Sequence, residues 1–155
     1  MVADATTIHA SAVLLGPRAA LICGRSGSGK SRLALALLEA ANSGALPFAR
    51  LVADDRAQVE AVHGRLIVRP ATALAGLIEV HGLGIRRVAF ERIAVVDFLV
   101  ELAAENAARL PDAAARRAIV AGIGVPRLAV APGADPLPLV LAYLATAETL
   151  EAADR

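Results

Sequence analysis

The chain has 155 residues, 57% hydrophobic and 20% charged, enough for one domain with a real core and too apolar for disorder. Its net charge of +1 gives nucleic acid or an anionic membrane surface no electrostatic hold, and its single cysteine, Cys23, excludes an internal disulfide. No apolar run reaches the roughly 18 residues of a spanning helix, and Met1-Val2-Ala3-Asp4 carries no basic stretch ahead of an apolar one, so one cytoplasmic domain over residues 1–155 is expected.

In chain order, Ala12 to Leu15 and Ala19 to Cys23 are short apolar runs on either side of Gly16-Pro17-Arg18, which predicts two strands and a turn. Ser31 to Ala41 places Leu33, Leu37 and Leu38 on one face, a helix of about three turns that Asn42-Ser43-Gly44 ends. Leu51-Val52-Ala53 reads as a strand running into Asp54-Asp55. Gln58 to Val62 and Arg65 to Arg69 read as a hairpin turning at His63-Gly64. Ala71 to Leu77 suggests a short helix, and Ile78 to Ile85, with Gly82 and Gly84, a functional loop. Ile93 to Leu102 is a buried strand, and Ile119 to Val130 one or two strands around Gly122-Ile123-Gly124. Pro136 to Ala152 is a terminal helix with two prolines in its first turn, where proline is tolerated.

Residues 24–31 read Gly24-Arg25-Ser26-Gly27-Ser28-Gly29-Lys30-Ser31, the GxxxxGK[ST] phosphate loop, with a strand before it and a helix after it. Its glycines allow backbone angles closed to other residues, and its N–H groups with the helix N-terminus form an anion cradle. Lys30 is the only lysine of the chain; every other Lys/Arg position is arginine, whose bulky planar fork cannot replace a compact point charge. The spacing assigns Lys30 to the β- and γ-phosphates of a nucleotide and the Ser31 hydroxyl to Mg²⁺.

Asp54-Asp55 stands at the end of a strand downstream of that loop, where one carboxylate suits the metal and the other a proton from an incoming hydroxyl. The plain alternative is a solvated turn. Glu79 is a carboxylate among aliphatics, costly to bury unless it meets a cation such as Mg²⁺, and otherwise facing solvent. His9 lies on or just before the first strand. His63 and His81 read as surface residues, and the three histidines with Cys23 show no zinc-type spacing.

Four places together resemble the catalytic domain of the HPr kinase/phosphorylase family: His9 ahead of the loop strand, the loop at 24–31, Leu51-Val52-Ala53-Asp54-Asp55, and Leu77-Ile78-Glu79-Val80-His81-Gly82-Leu83-Gly84-Ile85. The resemblance implies an α/β P-loop kinase core similar to that of phosphoenolpyruvate carboxykinase, a mixed β-sheet flanked by helices, without the family's N-terminal domain. It implies a kinase that uses ATP and Mg²⁺ to phosphorylate a serine of an HPr-like phosphocarrier protein of the phosphotransferase system. It further implies a homo-oligomer, a hexamer in the family, and no nucleic-acid or membrane partner.

By that resemblance the residues 24–31 bind the nucleotide and Ser31, Asp54 and Glu79 bind Mg²⁺. Asp55 is the base, with His9 orienting or charge-balancing it, and Arg109, in an Arg-Leu step, is the catalytic arginine. The family's proline- and arginine-rich segment for dephosphorylation falls at Ala131-Pro132-Gly133-Ala134-Asp135, which holds no arginine; Arg127 is the nearest. A kinase with poor phosphorylase activity is expected. Two other readings stay open at this point: a P-loop small-molecule kinase or ATPase, and a nucleotide-sensing module without chemistry.

Overall fold

Residues 5–146 are described by the computed structural model, and the apolar run before the glycine-rich loop is its central strand. The strands are β1 (Thr6–Ile8), β2 (Ala10–Leu14), β3 (Ala19–Cys23), β4 (Arg50–Ala53), β5 (Ala57–Val62), β6 (Arg65–Pro70), β7 (Leu77–Val80), β8 (Gly84–Arg87), β9 (Ala94–Glu101), β10 (Arg117–Val120) and β11 (Ile123–Ala129). The helices are α1 (Lys30–Asn42) and α2 (Pro136–Ala145). One mixed sheet runs β1-β5-β6-β9-β3-β2-β4, with β11 also on β9 and β10 on β11; β7 and β8 pair separately.

Alternation along β3 shows how the sheet is covered. Ala20 and Ile22 join one core cluster with Leu33, Ala34 and Leu37 of α1 and Val140 of α2. Ala19 and Leu21 join a second cluster with Val59 of β5, Leu66 and Val68 of β6 and Val125 of β11. The β5–β6 end of the sheet therefore curls back over the face that the helices leave open.

β9 is the junction. It is antiparallel to β6 at Ile67↔Val95 and Val68↔Ala94, then parallel to β11 from Arg127↔Leu99 to Ala129↔Glu101. On its other side it is parallel to β3, ending at Cys23↔Glu101. The carboxyl ends of β3 and β9 thus emerge together beside the phosphate loop, where ligands bind in open α/β sheets.

Several sequence expectations need correction. The segment Ile78 to Ile85 is a hairpin, not a loop: β7 and β8 pair at Glu79↔Ile85 and Val80↔Gly84, and Gly82 and Gly84 take positive φ of 87° and 92° in and after its turn. The short helix expected at 71–77 is a single 3-10 turn, Thr72–Leu74. The 119–130 region agrees with its expectation of one or two strands: it holds two, β10 and β11, turning at Ala121-Gly122. The terminal helix ends at Ala145, because Thr146 adopts extended backbone; the expected continuation to Ala152 lies mostly outside the described residues. Among the described residues no helix is long and apolar enough to cross a membrane.

Candidate active site

The loop after β3 is built by its glycines. Gly24, Gly27 and Gly29 have φ of 153°, 81° and 101°, in the region that L side chains avoid. A Cβ on Gly24 would also lie 2.5 Å from Ser28 Oγ and 3.2 Å from Leu102 Cβ, so only glycine fits there. α1 opens directly from Gly29 with no side-chain cap and no acidic residue in its first turn, which leaves its N–H groups to an anion. Lys30 is buried, and its Nζ donates to the carbonyls of Gly24 (2.9 Å) and Arg25 (3.2 Å). The ammonium is thereby held across the mouth of the loop. Ser28 Oγ is buried without a partner, an orphaned polar atom inside the cradle.

Asp54, buried at the end of β4, is the centre of a polar knot. Its Oδ1 accepts from Ser31 Oγ (2.7 Å) and from Ser11 Oγ (2.8 Å), and its Oδ2 accepts from Glu79 N (3.0 Å). The Ser31 hydroxyl directs its one proton to Asp54 in that hydrogen bond, so its lone pairs are left for a metal. Mg²⁺ needs only one or two carboxylates when phosphates and water complete its shell. The Asp54 carboxylate with the Ser31 hydroxyl is a donor set of that kind.

The structure brings several of the other sequence-predicted residues to the same place. Asp55 is exposed, with φ 64°, and its carbonyl accepts from Ala10 N (3.0 Å), which sets His9 on the adjoining segment between β1 and β2. The Glu79 main chain is fixed to Asp54 while its side chain is exposed. Arg109 is exposed in the connection from β9 to β10, and no hydrogen bond or ion pair ties it to another described residue.

Ser11, and the contacts made by Arg127, went unread in the sequence. Ser11 is a fully buried hydroxyl in an apolar strand; a polar residue among Ala10, Ala12 and Val13 was the available sign. Arg127 Nε donates to Glu101 Oε2 (2.6 Å), Nη1 to Ala115 O (2.9 Å) and Nη2 to Asn106 Oδ1 (2.8 Å). It pins both ends of the connection that carries Arg109. Cys23, at the foot of the loop, has its thiol pushed up to about 11 by burial and by the Glu101 carboxylate, against a smaller opposing pull from Lys30. It is a packing residue and no nucleophile.

A phosphate loop at the end of a central strand, with a buried aspartate on the loop's serine, defines a P-loop protein of the kinase type. The chain belongs to the HPr Serine kinase C-terminal domain family, whose sequence model matches residues 1–112. It is 37% identical over 83 residues to the HPr kinase/phosphorylase of Clostridium beijerinckii and, equally, to that of Clostridium tetani, in each case 54% of this chain and 25% of the relative. The chain therefore spans about a quarter of the length of the curated relatives it matches. The solved structure of the Hpr(Ser) kinase/phosphatase from Coxiella burnetii superposes with a TM-score of 0.71 at 26% identity, covering 90% of this chain and 88% of that one.

Proposed function

We propose that the chain is an ATP-dependent serine kinase whose acceptor is an HPr-like phosphocarrier protein of the phosphotransferase system. The observation that carries this reading is the hydrogen bond from Ser31 Oγ to Asp54 Oδ1 at 2.7 Å, which ties the phosphate loop to the aspartate pair inside a chain of the HPr kinase family.

Lys30 neutralises the β- and γ-phosphates, and the N–H groups at 24–31 wrap them. Ser31 and Asp54, with Glu79 as a further ligand, would hold Mg²⁺, which when bound would supply charge neutralisation for the transferring group. Asp55 takes the proton of the acceptor hydroxyl as that oxygen bonds to the γ-phosphorus and the bridge to the β-phosphate breaks. His9, on the adjoining segment, orients Asp55 or balances its charge, and Arg109 meets the charge of the transferring phosphoryl. The family reading adds a cytoplasmic homo-oligomer, hexameric by resemblance.

The test is incubation with labelled ATP, Mg²⁺ and an HPr-like protein, followed by mapping of the labelled residue. Phosphoserine on the carrier is expected. ATP turnover that needs a metabolite instead of the carrier supports a small-molecule kinase, and tight ATP binding without any turnover supports a sensing module; either result overturns the proposal.

A further inference from the structure

The geometry points to Ser11 as a positioning residue that sets the aspartate pair for phosphoryl transfer, a role that rests on the kinase reading above. Its hydroxyl meets both aspartates at once. Ser11 Oγ donates to Asp54 Oδ1 (2.8 Å) and accepts from the backbone N–H of Asp55 (3.1 Å). The direction of each bond is fixed by chemistry: a carboxylate only accepts and a backbone N–H only donates. The single proton of the hydroxyl therefore points to Asp54, and a lone pair to Asp55.

Asp55 needs such a hold. Its φ of 64° lies in the left-handed region, which aspartate tolerates better than most residues but does not prefer. Backbone of this kind persists only where its surroundings over-determine it. Here two bonds from β2 do so: Ser11 Oγ on the Asp55 amide and Ala10 N on the Asp55 carbonyl. The turn makes consecutive residues do different things. Asp54 is directed inward to the serines, and Asp55 outward to solvent, where an acceptor hydroxyl can arrive.

The place of Ser11 makes the hold stiff. It sits second in β2, in register with Ile22 on β3, the strand that carries the phosphate loop. It is completely buried, so bulk water does not compete for its hydroxyl. Alanine or valine would serve the packing of β2 equally well, and a lone hydroxyl in such a strand is costly unless partnered. What the hydroxyl adds is a rigid link from the loop strand to both carboxylate-bearing residues.

The experiment compares wild type, Ser11→Ala and Ser11→Thr. Small misplacement of a reacting group costs on the order of 100-fold, so Ser11→Ala is expected to lower kcat for carrier phosphorylation about 10- to 100-fold. The KM for Mg·ATP should change less than about threefold, because Lys30 and the loop are untouched. Ser11→Thr keeps the hydroxyl and should recover most of kcat. Because the added methyl enters a filled site, amide exchange provides a second measurement: Asp55 N–H should exchange about tenfold or more faster in Ser11→Ala, with Ala12 unchanged. A kcat within twofold of wild type in a folded Ser11→Ala protein overturns the proposal, as does an unchanged Asp55 exchange rate. If wild type phosphorylates no carrier, the kinase reading fails. The exchange rate at Asp55 then decides by itself whether Ser11 holds the turn.

Discussion

Removing the Asp54 carboxylate tests the polar knot directly, because alanine and asparagine break it in different ways. In Asp54→Ala three donors lose their acceptor: the hydroxyls of Ser11 and Ser31 and the N–H of Glu79. Ser31, half-exposed at the loop, can turn to water, but Ser11 is fully buried. Each buried group left unsatisfied costs about 1–3 kcal/mol, partly offset by removing a buried charge. A net loss of about 2–4 kcal/mol follows, and at about 2–4 °C per kcal/mol for a chain of this size the melting midpoint drops by roughly 5–15 °C. Asparagine keeps the shape. With its amide oxygen on Glu79 N, its NH₂ donates to both serine oxygens and only the Ser11 proton is left over; with the amide reversed, only its NH₂ opposes Glu79 N. One mismatch remains either way, so the loss is about 1–2 kcal/mol. Both variants should lose phosphotransfer by 100-fold or more, since the carboxylate proposed for the metal is gone. The assay is thermal unfolding without nucleotide, alongside ATP-dependent carrier labelling. Equal destabilisation by the two substitutions, or no loss in Asp54→Ala, would falsify the three-donor description.

Further outcomes follow from other parts of the site. Saturating Mg·ATP at 100 times its Kd should stabilise wild type by about 2.7 kcal/mol, and Lys30→Ala and Lys30→Arg should show no such shift in unfolding scans; a retained shift in the arginine variant would mean that the guanidinium fits the loop after all. Cys23, with its thiol near 11 against an ordinary 9.0, should alkylate about 100-fold more slowly at pH 8 than a free cysteine, and rapid labelling would contradict its burial. In the same group the folded state holds the proton longer than the unfolded state, so stability should fall between pH 9 and 11 by up to roughly 2–3 kcal/mol, and Cys23→Ser should remove that slope.

Much of this site is local, and local features were legible. The glycine loop, the strand before it and the helix after it are contiguous, and a short continuous apolar run gives way to apolar spacing near 3.6 across them. The β5–β6 hairpin was legible for the same reason, with His63 and Gly64 both at positive φ in its turn. β7 and β8 were not. β8 is exposed at all four residues and carries no alternation, so only its pairing with β7 makes it a strand. β1 is a three-residue edge strand that exists through its register with β5. The role of Ser11 depends on partners 43 and 44 residues away, and that of Arg127 on partners 12, 21 and 26 residues away. No window of sequence contains such contacts.

The same Arg127 contacts bear on the direction of the reaction. Dephosphorylation by inorganic phosphate requires two phosphate groups side by side, and two unit charges 4 Å apart repel by about 4 kcal/mol even at an effective dielectric constant of 20. Cations must offset that repulsion. Arg127 was the nearest arginine to the segment 131–135, yet its guanidinium is committed to Glu101, Ala115 and Asn106, and its side chain is only 9% exposed. Asp135 brings a negative charge, and its carboxylate caps α2 by accepting from Leu137 N (3.1 Å). Lys30 and Arg25 belong to the phosphate loop, and Arg109 is the exposed cation proposed for the transferring phosphoryl. One arginine serves a single transferring group better than it serves two anions. The protein is therefore expected to phosphorylate its carrier at least about tenfold faster than it releases pyrophosphate from the phosphorylated carrier with millimolar phosphate and Mg²⁺. Comparable rates in the two directions, measured on the same preparation, would refute this and point to arginines supplied by a neighbouring subunit.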